Sequence, residues 1–170
     1  MDFEDEFDEE DFHKERKAEF KRIKSLKILK KSEDILDLVL KICELIEPED
    51  NPEAEILREI KEIIQYEALM IPPKIIGAES VEYYDLKMEN AVIIRKSAME
   101  VSLHCTSLEM YGFKEVSYLN LVRDEVNSFR DLFVEWIASF DKSQYIGDLW
   151  NVFNPPGTSL DDVRKNLEDI

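Results

Sequence analysis

Two histidines in 170 residues leave metal chemistry little to work with. A di-iron or di-manganese centre in a helical protein takes two Glu-x-x-His segments and two further glutamates on facing helices. Only Glu10 and His13 have that spacing, near the amino terminus, and His104 has Val101 three residues before it. Glu100 and His104, one helical turn apart, could share a zinc ion, but two further ligands are missing. Projected at 100° per residue, the pair falls with Glu82, Glu89, Lys96 and Ser107, away from the apolar arc, and reads as a solvated face. Four glycines scattered at 77, 112, 147 and 157 make no phosphate-cradling loop. Neither a metal nor a cofactor is expected, and no catalytic residue is assigned.

Polar residues inside apolar arcs are more informative. The arc of Tyr84, Met88, Ala91, Ala98, Cys105 and Leu108 also holds Arg95, Ser102 and Thr106, and Glu125 lies between the directions of Tyr118, Leu132 and Trp136. A buried charge without a partner is very costly, so Arg95 and Glu125 need partners if they lie inside. On neighbouring antiparallel helices they differ in height by roughly 9 Å. A structural polar network is the first reading and a ligand pocket the second. The other concentration is aromatic: Tyr84, Phe140, Tyr145 and Trp150, with Tyr66, Tyr83 and Phe153, are expected near one bundle end. Aromatics with polar tips cap an open end as readily as they bind a ligand. The candidate ligand or partner site is therefore Tyr84, Arg95, Ser102, Glu125, Trp136, Phe140, Tyr145 and Trp150.

Four helices have to position these groups. Ser32, with Glu33 and Asp34 behind it, predicts an N-cap for a helix over 32–47 carrying Ile35, Leu38, Val39, Ile42, Leu45 and Ile46 at 3.6-residue spacing. Asn51 and Pro52 start a second helix, which Pro72-Pro73 is expected to end at about 71. Ser80 opens a third, running to Tyr111 and stopping at Gly112 as the C′ residue. The fourth, over 114–141, has the cleanest seam: Leu119, Val122, Val126, Phe129, Phe133, Trp136 and Phe140, spaced by threes and fours. Ser143 predicts a short helix over 144–153, and Thr158 with Asp161 a last amphipathic turn carrying Leu160, Val163, Leu167 and Ile170. The expected fold is all-α, an up-down antiparallel four-helix bundle with an amino-terminal helical extension and a carboxy-terminal capping segment. Residues 1–12 read as an acidic mobile tail, 13–157 as one domain and 158–170 as an amphipathic end.

Charge narrows the partners. The chain carries 22 Lys and Arg against 39 Asp and Glu, a net of −17. Nine of the bases, Lys14 to Lys31, lie among residues 13–31 against only Glu15 and Glu19. The rest of the surface repels nucleic acid and anionic membranes, so nucleic-acid contact is a weak alternative confined to 13–31. No apolar run is long enough to span a bilayer, the amino terminus is acidic, and Cys43 and Cys105 form no framework, which together point to a cytoplasmic protein. The function expected is that of a non-enzymatic helical interaction or scaffold protein, as a homodimer or with a protein partner. A small-molecule binder or enzyme is the alternative.

Overall fold

A computed structural model describes residues 9–46 and 52–168, and within them six helices and no strand: α1 (Glu9–Lys24), α2 (Lys27–Glu44), α3 (Pro52–Glu79), α4 (Tyr84–Met110), α5 (Val116–Ala138) and α6 (Leu160–Glu168). The predicted tail falls on residues 1–8, outside the described residues, and on Glu9 to Phe12, which open α1. Asn51 and Ile170 also lie outside them.

α2 packs on α3 and α5, and α4 packs on the same two helices, so each of the four touches two others around one core. Ile35, Ile64, Ile71, Ile75, Val101 and Phe129 are among the fully buried side chains at its centre. The seam of α5 faces inward, with Leu119, Val122, Phe129, Phe133 and Trp136 buried and Val126 half-buried against them. Burying a large apolar side chain contributes about 1.5–3 kcal/mol, so this row holds α5 in place more strongly than any polar contact it makes. α1 packs on α2.

Several helix boundaries differ from expectation, each for a local reason. α2 starts five residues before Ser32, which is buried and donates its hydroxyl to the carbonyl of Leu29 at 2.6 Å. The break that separates α1 from α2 is at Ser25 and Leu26. There, Ser25 donates its backbone N–H to Lys21 and Arg22 and its hydroxyl to the Arg22 carbonyl. Pro72 and Pro73 do not end α3, which continues to Glu79. Each proline forfeits a helical hydrogen bond, but Ile71, Ile75 and Ala78, all fully buried, tie the chain on both sides to the core. Ser80 closes α3 instead of opening α4, donating both its N–H and its hydroxyl to Ile76.

α4 ends as its glycine requires. Gly112, at φ +91°, donates to the Glu109 carbonyl while Phe113 donates to that of Leu108, the paired bonds that satisfy a helix end through a left-handed C′ residue. Residues 144–153 form no helix. Ser143 turns its N–H and hydroxyl onto the Asp141 carboxylate, and Gly147 (φ +113°) and Asn151 (φ 55°) both have left-handed backbone. α6 is capped by Ser159, whose hydroxyl accepts the Asp162 N–H while the Asp162 carboxylate accepts the Ser159 N–H. Thr158 bonds to the Pro155 carbonyl, and Asp161 pairs with Arg164.

Candidate functional site

The carboxy-terminal end of α5 carries a ladder of rings. Phe129 and Phe133 stand 6.0 Å apart between centroids, Phe133 and Trp136 5.9 Å, and Trp136 meets Phe140 edge-to-face at 4.7 Å. The indole N–H of Trp136 donates to Glu79 Oε1 at 2.6 Å, and Glu79 Oε2 takes Arg22 Nη1 at 2.7 Å. Glu79, the last residue of α3, thus ties α1 to α5, and its side chain is only 9% exposed. Lys87 Nζ stands 5.3 Å from the centre of the Phe140 ring. An open cleft of about 650 Å³ is lined by Arg22, Glu79, Lys87, Trp136, Phe140 and Asp141, among others. Glu19 and Glu82 line the cleft as well, so its two cations face four carboxylates and it offers no net attraction to an anion.

The segment after α5 folds back over the start of α4. Tyr84 donates its N–H to the Gln144 carbonyl at 2.7 Å. The buried carboxylate of Asp85 accepts the N–H of Gly147 at 2.9 Å and of Ile146 at 3.3 Å. Gly147 is required twice, by its φ and because a Cβ there would stand 2.8 Å from Val163 Cγ1. Val163, fully buried, seats α6 on its own chain.

Beyond this clip the chain forms a tight loop. The Asp148 carboxylate accepts the N–H groups of Trp150 and Val152, each at 2.8 Å, and of Phe153 at 3.3 Å. These backbone bonds, those from Val152 and Trp150 first, hold its pKa below the ordinary carboxylate range. The Asn154 side chain accepts the Asp148 N–H and donates to its carbonyl, both at 2.7 Å, and donates to Asn151 Oδ1. So closed a loop displays Leu149, Val152 and Trp150, the last 87% exposed.

Of the eight candidate residues, Tyr84, Trp136 and Phe140 are buried and belong to the same core cluster; Tyr145 packs against it. Trp150 stands out on the loop. Arg95 is exposed and Ser102 half-buried. Glu125 takes Lys31 of α2 at 2.7 Å, a partner other than Arg95. Arg95 sits at the margin of its arc, where a long side chain reaches solvent. Glu100 and His104 are less solvated than their projection suggests: His104 is 16% exposed, its Nε2 is 3.6 Å from Glu100 Oε2, and its Nδ1 is buried without a partner. No third His, Cys, Asp or Glu joins them in a metal-holding group among the described residues.

Sequence reasoning missed Glu79, Asp85, Asp148 and Asn154. Asp85 left a signal, an acid in the first turn of a helix. Asp148 and Asn154 left another, an acid and an amide six residues apart before Pro155-Pro156-Gly157. Burial pushes the thiols of Cys43 and Cys105 up to about 11, which makes both inert. Compared with protein-family models, with curated proteins and with solved structures, the chain matches none.

Proposed function

We propose that this chain is a non-enzymatic interaction protein that binds another protein by inserting Trp150 into an apolar pocket. The observation that carries this reading is a tryptophan 87% exposed on a loop closed by its own hydrogen bonds. Interface energy concentrates on a few residues, with Trp foremost, and a contact held rigid before binding avoids the ordering cost of forming it. Leu149 and Val152 beside it would exclude water from the rim. Residues 143–163 contain no Lys or Arg, so nothing in the segment attracts a phosphate backbone or an anionic lipid. A protein pocket with a cationic rim fits that chemistry. The same reading takes the four mutually packed helices as an up-down antiparallel bundle, with α1 as an extension and residues 139–168 closing one end. Two unpaired buried cysteines suit a reducing, cytoplasmic setting.

The test places a photo-crosslinking amino acid at position 150 of the full chain in cells, with position 134 as an exposed control. One discrete protein adduct specific to 150 is expected, and that protein, purified, should bind the Trp150→Ala chain at least about 30-fold more weakly than wild type. Equal binding by the variant overturns the proposal. So does Trp150-dependent co-sedimentation with neutral phosphatidylcholine vesicles in place of a protein adduct.

A further inference from the structure

The outward side of α4 bears a second apolar feature, independent of the loop. Val92, Met99, Leu103 and Met110 are 47, 56, 57 and 77% exposed. At 100° per residue they lie within about 40° of one another, opposite the buried Ile94, Ala98, Val101, Cys105 and Leu108. Their spacing is seven, four and seven residues, which reads the same in both directions about the height of Val101. Between Asn90 and Tyr111 the charges balance, Arg95 and Lys96 against Glu100 and Glu109, in a chain whose net charge is −17.

From these features we infer that α4 is a self-association surface, on which a second copy of this chain lays its own α4 antiparallel about a two-fold axis at the height of Val101. In that register Val92 stands opposite Met110 of the second copy, and Met99 opposite its Leu103. A palindromic row is what an isologous contact requires, since each residue must meet its counterpart twice. Local neutrality removes at this face the repulsion that two strongly acidic copies meet elsewhere. The two unbranched methionines adjust to an imperfect fit. The row is about 27 Å long, and a face about 10 Å wide falls short of the ~800 Å² that each partner contributes to a standard interface. A contact of that size makes the dimer weak and reversible, populated toward about hundreds of micromolar.

Sedimentation velocity of the full chain up to hundreds of micromolar tests the strength, and cysteine pairing tests the register. Wild type should shift to twice the monomer mass, and Leu103→Glu should stay monomeric with unchanged helical circular dichroism. Mixing a Met99→Cys chain with a Leu103→Cys chain under mild oxidation should yield the mixed disulfide in excess over either like-with-like product, with the buried Cys43 and Cys105 silent. Trp150→Ala should dimerise like wild type, which keeps this surface separate from the loop. A wild-type chain that stays monomeric throughout, a Leu103→Glu chain that dimerises normally, predominant Met99→Cys self-pairing, or a dimer lost in Trp150→Ala would each overturn the inference.

Discussion

Glu79 is the residue through which α1 and α5 are tied to the end of α3. Its carboxylate is shared between the Trp136 indole and the Arg22 guanidinium, one partner buried and one half in solvent. The two bonds differ in worth: the pair with Arg22 is screened and contributes little, whereas losing the acceptor strands a buried N–H. Glu79→Ala should therefore cost about 1–3 kcal/mol in urea unfolding and Glu79→Gln clearly less. Unfolding followed by Trp136 fluorescence in a Trp150→Phe background reads both. An equal cost for the two would mean that charge, not the acceptor, matters. Gly147→Ala combines left-handed backbone with a 2.8 Å approach to Val163 and should cost about 1–3 kcal/mol. Amide exchange over α6 should rise before that over α5. None of this was legible in the sequence, where Glu79 is one of 39 acids and Gly147 one of four glycines. Arg95 shows the converse, since an angular projection gives the direction of Cα–Cβ and not where a long side chain ends.

At the scale of elements, the legible features were those whose signal does not depend on context. The seam of α5 and the stop at Gly112 are of this kind, a strict apolar period and a residue free to take positive φ. Serine is not. Before an acidic turn it reads as a cap, yet Ser32 and Ser80 bond backward to the carbonyls of Leu29 and Ile76, because the chain before them is already helical. The two prolines misled for a similar reason: a local penalty of about 3 kcal/mol each is offset in large part by the burial of Ile71, Ile75 and Ala78 on either side. Since Pro73 is exposed, Pro73→Ala should restore a helical hydrogen bond without loss of packing and stabilise the protein by about 1–3 kcal/mol. A lower midpoint in thermal unfolding would contradict this. The Asp148 loop carries a pH prediction. Its carboxyl is held below the usual range in the folded chain, so its contribution is complete above the ordinary value of about 3.9 and is lost as pH falls through the lower folded value. The Trp150 and Val152 amide resonances should move toward unstructured positions below about pH 4, and Asp148→Asn should remove the transition.

For the molecule as a whole, the all-helical class was legible from periodicity and from the scarcity of glycine, while which helices touch which was not, since contacts arise between residues far apart in the chain. Charge acts at this scale too. Ion pairs such as Arg130 with Asp131 and Arg164 with Asp161 are exposed on both sides and worth little. The net −17 opposes compaction over longer distances. Screening that repulsion should outweigh weakening the pairs, so the melting temperature should rise between about 0.01 and 0.15 M salt, as the Debye length falls from about 30 to 8 Å. A falling melting temperature would mean that the pairs dominate.

The clip between Asp85 and residues 146 and 147 closes a loop of about sixty residues, and this has a consequence for how the chain comes into being. Synthesis proceeds from the amino end, so α2 to α5 are complete before Gln144 to Gly147 exist. Helices with local contacts form early, and a contact of long sequence separation bears its closure entropy last. Until that segment is made and the loop closes, the Asp85 carboxylate lacks its two backbone donors, Ile146 and Gly147. A buried carboxylate without donors is costly, so the start of α4 gains its last stabilising contacts only when residues 146 and 147 arrive.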